Sequence, residues 1–141
     1  MKLVDFEIEH YRNILAQERQ IEISTRMDEE SLQYTKSHGE CYTLIDGDEI
    51  VGCGGVVEIW KDRGMAWTLI SENIGKRFVG LHRVVTRFLD TSKFKRVEMY
   101  VDYDFIEAHR WATMLGFTLE AEQMLAFLPN GKSASLYARI R

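Results

Sequence analysis

Ser71-Glu72-Asn73-Ile74-Gly75-Lys76-Arg77-Phe78-Val79-Gly80-Leu81-His82 is the stretch on which the fold turns. It lies between an apolar run, Met65 to Ile70, that reads as a strand, and a segment whose apolar residues Phe78, Leu81, Val84, Val85, Phe88 and Leu89 recur at the spacing of one helical face. A strand, a loop with glycines and basic residues, and a helix form an anion-binding arrangement. The first helical turn leaves backbone N–H groups without partners, and the macrodipole places partial positive charge there. Lys76 and Arg77 add full charges at that end. Basic charge there opposes the dipole, and a bound phosphate would relieve the conflict. Gly75 and Gly80 suit a close approach of backbone to phosphate. A phosphorylated cofactor is expected here.

Working outward, the helix carries the chain to a second strand, Arg96 to Val101, which a crossover makes parallel to Met65–Ile70. Upstream, Cys41 to Ile45, the turn Asp46-Gly47-Asp48, and Glu49 to Trp60 predict a hairpin. Gly52, Gly54 and Gly55 inside its second strand indicate a bulge or close backbone packing. Lys61 to Gly64 is a turn. Downstream, Asp104 to Leu115 reads as a helix that Gly116 stops in the left-handed conformation, with Phe117 turning into the core. Phe117 to Leu128, a turn at Pro129-Asn130-Gly131-Lys132, and Ser133 to Ile140 form a last hairpin. At the start, Lys2 to Val4 is a short strand. Asp5 caps a helix reaching about Glu18, with Phe6, Tyr11, Ile14 and Leu15 near one face. A second helix runs from Asp28, its cap, to Ser37, with Gly39 as its stop. The order β-α-α-β-β-β-α-β-α-β-β predicts an α+β fold. Its sheet is mixed, mostly antiparallel, with about seven strands, flanked by about four helices.

A length of 141 residues fits one domain over the whole chain, 1–141. The hydrophobic fraction is 45% and the charged fraction 28%, as in an ordinary globular protein. A net charge of -4 argues against a nucleic-acid partner, despite the basic residues Lys76, Arg77, Arg83 and Arg87. No apolar run approaches the roughly 20 residues of a membrane span. The opening Met-Lys-Leu-Val-Asp-Phe-Glu-Ile-Glu has acids where a signal peptide is apolar, so a cytoplasmic protein without a membrane partner is expected. Cys41 and Cys53 fall in strands and read as buried free thiols. The four histidines show no ligand spacing, and no metal site is expected.

The element order resembles that of the GCN5-related N-acetyltransferases (GNAT), over essentially the whole chain. In that family a Q/R-x-x-G-x-G/A segment follows the fourth strand and wraps the coenzyme A pyrophosphate. Arg77-Phe78-Val79-Gly80-Leu81-His82 keeps the arginine and the middle glycine, with His82 in place of the last small residue. The family's N-x-x-A-x-x-x-Y-x-x-x-G-F is similar to Phe105 through Phe117, which keeps Ala108, Gly116 and Phe117 but has Phe105 for the asparagine and Ala112 for the tyrosine.

The resemblance implies an acyl-CoA-dependent N-acyltransferase moving acetyl from acetyl-CoA to a primary amine of a small molecule or protein. It implies cofactor binding at Leu69, Ile70 and Ser71 and at Lys76, Arg77, Phe78, Val79, Gly80, Leu81 and His82. A backbone N–H near the end of Met65–Ile70 would stabilise the oxyanion. Glu72 is the first candidate base, directly or through water, and Glu58 the second. Ala112 removes the phenol that usually protonates the departing thiolate, and Tyr103 or Tyr100 would replace it. A protonated His82 could also contact an anion. Trp67 and Trp111 are read as core or pocket-wall residues.

His109-Arg110-Trp111 before Leu-Gly-Phe is similar to small GNAT-fold proteins of short-tailed bacteriophages, some linked to the virion. That likeness implies the alternative of a non-catalytic structural or host-interaction protein. Its partners would be a second copy of the chain or a host or virion protein.

Overall fold

The computed structural model describes residues 1–17 and 27–141. Its elements are β1 (Lys2–Asp5), α1 (Ile8–Gln17), α2 (Glu29–His38), β2 (Gly39–Asp46), β3 (Glu49–Trp60), β4 (Arg63–Ile70), α3 (Phe78–Asp90), β5 (Arg96–Asp102), α4 (Ile106–Met114), β6 (Thr118–Met124) and β7 (Ala134–Ile140). A 3-10 turn, Gly75–Arg77, leads into α3. The strands form one seven-stranded sheet in the order β1-β2-β3-β4-β5-β7-β6. Among the described strands only β4 and β5 pair in parallel, as the α3 crossover requires. The predicted order and the mixed α+β sheet are both present.

Two cores lie on the two sheet faces. Phe6, Tyr11, Ile14, Leu32, Cys53 and Leu69 form one, beneath α1 and α2. The other gathers Leu81 and Leu89 from α3, Trp111, Ala112 and Leu115 around α4, and Val56, Val97, Val101 and Tyr137 from the sheet. Gly116 takes φ +88° after α4, and Phe117 is buried at 5% exposure. Asp28 caps α2 by accepting from the Ser31 N–H at 2.8 Å. The β2–β3 register jumps from Ile45↔Ile50 to Leu44↔Gly52, so Val51 is the extra residue of a bulge next to Gly52.

Several boundaries differ in detail from expectation, among them the start of β4 at Arg63, inside the expected Lys61–Gly64 turn. Asp5 is no helix cap: its backbone continues β1 opposite Tyr42, which keeps the chain extended until Phe6 reaches the core. The helix end expected near Glu18 lies outside the described residues. Gly39 ends α2 as expected, though without a left-handed turn. Its φ is -107° and it begins β2 directly, where a Cβ would stand 2.5 Å from the Thr35 carbonyl oxygen. Asp104 precedes α4 in a turn closed by Phe105 N–H to Asp102 O, so the helix starts at Ile106. The sixth strand stops at Met124, before Ala126 at φ +52°.

Candidate functional site

The parallel ladder between β4 and β5 lasts three pairs: Arg63↔Arg96, Gly64↔Val97 and Met65↔Glu98. Beyond it, Ala66–Ile70 keep β3 on one edge and Met99–Asp102 keep β7 on one edge. The two edges that face each other carry no ladder. The result is a fork, closed at Met65 and open for the roughly 16 Å that five strand residues span. Backbone N–H and C=O groups on those inner edges need water or a ligand as partner. Glu98 secures the closed end at 3% exposure. Arg63 Nη2 donates to its Oε2 and Arg96 Nε to its Oε1, both at 2.8 Å. Arg96 continues to Glu120 with its other nitrogens. Burial alone would raise the Glu98 pKa, but the hydrogen bonds and charges of the two arginines hold it below the usual carboxylate value.

Ser71 to His82 stands at the open end. Ser71 is buried; its N–H donates to Val51 O at 2.9 Å and its Oγ accepts from Asn73 N–H at 3.3 Å. Gly75 turns the chain at φ +54°. Arg77 N–H donates to Ile74 O, and Phe78 N–H to Gly75 O. Val79 and Gly80 follow in the first turn of α3, whose N-cap residue, Arg77, provides no side-chain cap.

Arg77, at the arginine position of the motif, is engaged within the chain. Its guanidinium spans both Glu49 carboxylate oxygens at 2.8 and 3.1 Å, reaches Asp46 at 3.2 Å, and donates to Ile74 O. These partners raise its pKa further, hydrogen bonding to Glu49 first, and the same pair lowers that of Glu49. The clash of basic charge with the helix dipole is thus answered within the chain, by the β2–β3 hairpin. Lys76 is exposed and forms no ion pair among the described residues. Gly80 lies against the side chain of Met1, whose methyl group an added Cβ would meet.

His82 accepts at Nδ1 a hydrogen bond from Trp111 Nε1–H at 3.1 Å. Phe78 meets the same indole edge-on, with centroids 5.4 Å apart. Leu69 and Leu81 are buried in the two cores and Ile70 packs against one of them, so these three can offer only backbone. Val79 is exposed.

The candidate catalytic residues are not assembled into one place. Glu72 is exposed at the open end, directly after Ser71. Glu58 pairs with Gly64, whereas Ile70 pairs with Gly52. Six strand residues, about 20 Å, separate Glu58 from the open end. It belongs instead to a cleft of about 660 Å³ with Tyr34, His38, Trp60 and Lys61. Tyr103 is 38% exposed beyond β5 and lines another cleft, of about 410 Å³, with Ile106, His109 and Leu119. Tyr100 stands in the unladdered half of β5 with its ring 4.8 Å from that of Phe127. Ala112, at the tyrosine position of the motif, has no exposure and sits in the core.

Reading the sequence missed two features, the Glu98 ion cluster and the Trp111–His82 bond. A charge inside the apolar run Val97-Glu98-Met99-Tyr100-Val101 could have flagged the first. Nothing local signals the second, because its partners are 29 residues apart.

No family model and no curated protein matches the sequence itself. Solved structures do match. The chain is similar to the ribosomal-protein-S18-alanine N-acetyltransferase of Escherichia coli at a TM-score of 0.77 and 11% identity, covering 99% of this chain and 92% of that one. It is similar to a Bacillus subtilis acetyltransferase solved in complex with CoA, at a TM-score of 0.72 and 16% identity, over 99% and 97% of the two chains. A spermidine N-acetyltransferase variant of Vibrio cholerae gives 0.71 and 14%, over 99% and 95%. The agreement extends over nearly the full length of each structure, and with the forked mixed sheet it establishes that this chain has the fold of the GCN5-related N-acetyltransferases.

Proposed function

We propose that the chain, as one domain in the cytoplasm, is an acyl-CoA-dependent N-acyltransferase that moves acetyl from acetyl-CoA to a primary amine. The observation that carries the reading is the open β4–β5 fork, whose mouth adjoins the first-turn amides of α3. The diphosphate fits at the Val79 and Gly80 N–H groups, with Lys76 supplying charge. The amide-bearing arm of coenzyme A suits the unladdered inner edges of Ala66–Ile70 and Met99–Asp102, which offer backbone donors and acceptors as to an added strand. Acetyl-CoA supplies an activated thioester. The chain's own residues orient it, and the backbone N–H groups of β4 face the developing oxyanion. Of the two carboxylates, only Glu72 shares the open end, so proton removal from the amine, through water, falls to it. Tyr100, on the fork itself, is better placed than Tyr103 to hold a proton for the departing sulfur.

A second reading draws on the burial of Ala112 and the pairing of Arg77: a GNAT-fold protein without turnover that serves a second copy or a host or virion partner. Calorimetry with acetyl-CoA, followed by thiol release with a panel of amines, separates the two. Binding with turnover is expected. Absence of binding would overturn the acyltransferase reading in favour of the second.

A further inference from the structure

The Trp111–His82 hydrogen bond decides which nitrogen of His82 carries its proton. An indole N–H only donates, so the imidazole Nδ1 it reaches at 3.1 Å only accepts. A neutral imidazole has one N–H, which is thereby set on Nε2. No described residue pairs with that Nε2. The ring is half-buried in α3, two positions after Gly80, where the related motif has a small residue. Phe78, one turn earlier, lies near-parallel to the imidazole, at 24° and 6.5 Å, and edge-on to the indole. Three rings from two helices therefore hold one another in place.

We propose that Trp111 is a positioning residue of the acyl-donor site. It holds His82 with Nδ1 as acceptor and Nε2–H as donor, and this donor binds the phosphate-bearing part of coenzyme A. The inference rests on the acyltransferase reading above. Where a small residue would let backbone approach the diphosphate, the side chain of His82 reaches toward it instead. Specificity changes accordingly: the α4 helix gains a say in donor binding through Trp111, while the positions of the motif's asparagine and tyrosine hold Phe105 and Ala112.

The test combines calorimetry with coenzyme A and nitrogen NMR of the imidazole, in wild type and in His82→Ala, His82→Gln and Trp111→Phe. Loss of one hydrogen bond predicts a weakening of about 10-fold for His82→Ala. His82→Gln should recover most of it, because its terminal amide presents an N–H at a reach similar to that of Nε2. Trp111→Phe keeps an aromatic ring in the core but frees Nδ1, so the NMR signals should report mixed tautomers and binding should weaken about 3-fold or more. Coenzyme A binding that is equal in wild type and His82→Ala would overturn the inference and leave the acyltransferase reading intact. So would a single unchanged tautomer in Trp111→Phe with unchanged affinity. If Trp111→Phe fails to fold, the His82 pair alone decides. Wild type that does not bind coenzyme A at all removes both readings together.

Discussion

At its first residues β4 is locked to β5 by backbone pairing and by Glu98 between Arg63 and Arg96. At its last residues it has parted from β5 and meets a loop whose arginine is turned back onto the β2–β3 hairpin. Both ends spend arginine on carboxylate, to different effect. At the closed end the carboxylate, Glu98, is buried between two partly exposed arginines where the two parallel strands pair. At the open end Arg77 ties the loop to the β2–β3 hairpin, and on the proposed function backbone amides, Lys76 and His82 would be the groups that meet coenzyme A. An arginine at a motif position is thus no proof of an arginine contact; where its partners lie decides.

The contrast can be broken first at the closed end. Glu98→Gln leaves two arginines facing a neutral side chain and should destabilise the fold by roughly 3 kcal/mol, measured by denaturant unfolding at pH 7. The sign with pH follows from the lowered pKa of the native carboxyl. Its contribution is full above the unfolded value of about 4.3 and is lost as pH falls through the lower native value. The gap between wild type and variant should therefore close in strong acid, and a gap independent of pH would refute the assignment.

Next comes the pair of carboxylates. Glu72→Gln should lower turnover about 100-fold, within the usual range for a general base, while Glu58→Gln, behind the fork, should leave it unchanged. Equal loss in both variants would show that the two ends of β4 do not divide the chemistry as described.

A smaller effect is expected at Ala112. A tyrosine there must enter a filled core, so Ala112→Tyr should cost about 1–3 kcal/mol of stability through overpacking, read as a lower melting temperature, and should not raise thiol release. Faster release would show that the core yields to the ring.

The smallest contrast is between neighbours. Lys76→Gln should weaken coenzyme A binding several-fold, and more so at low salt. Arg77→Gln should change it less, because its charge is already balanced by Glu49 and Asp46. The reverse order in calorimetry would return Arg77 to the ligand.

Much of the architecture was legible because its signals are local. The stripe from Phe78 to Leu89, the Asp46-Gly47-Asp48 turn and the Gly116-Phe117 stop each carry their own stereochemistry. Asp5 misled because an N-cap residue and a strand's last residue look alike until Phe6 is known to be buried. The site was less legible for a related reason. Arg77 finds Glu49 28 residues upstream, and Glu58 and Glu72 differ in worth only through the β3–β4 register. Long-range pairing of this kind leaves no periodic trace.

The thiols in β2 and β3 have a practical bearing on all of these measurements. Burial pushes half-buried Cys41 up to about 11 and raises buried Cys53 further. Cys41 is therefore held mainly as the thiol rather than the thiolate, the form that reacts with disulfide reagents. A colorimetric reagent added during turnover will therefore count coenzyme A set free in solution, with almost no background from the folded protein. A rise in that background on warming would mark the opening of the sheet between α1 and β3, giving a chemical clock for local unfolding in the same cuvette.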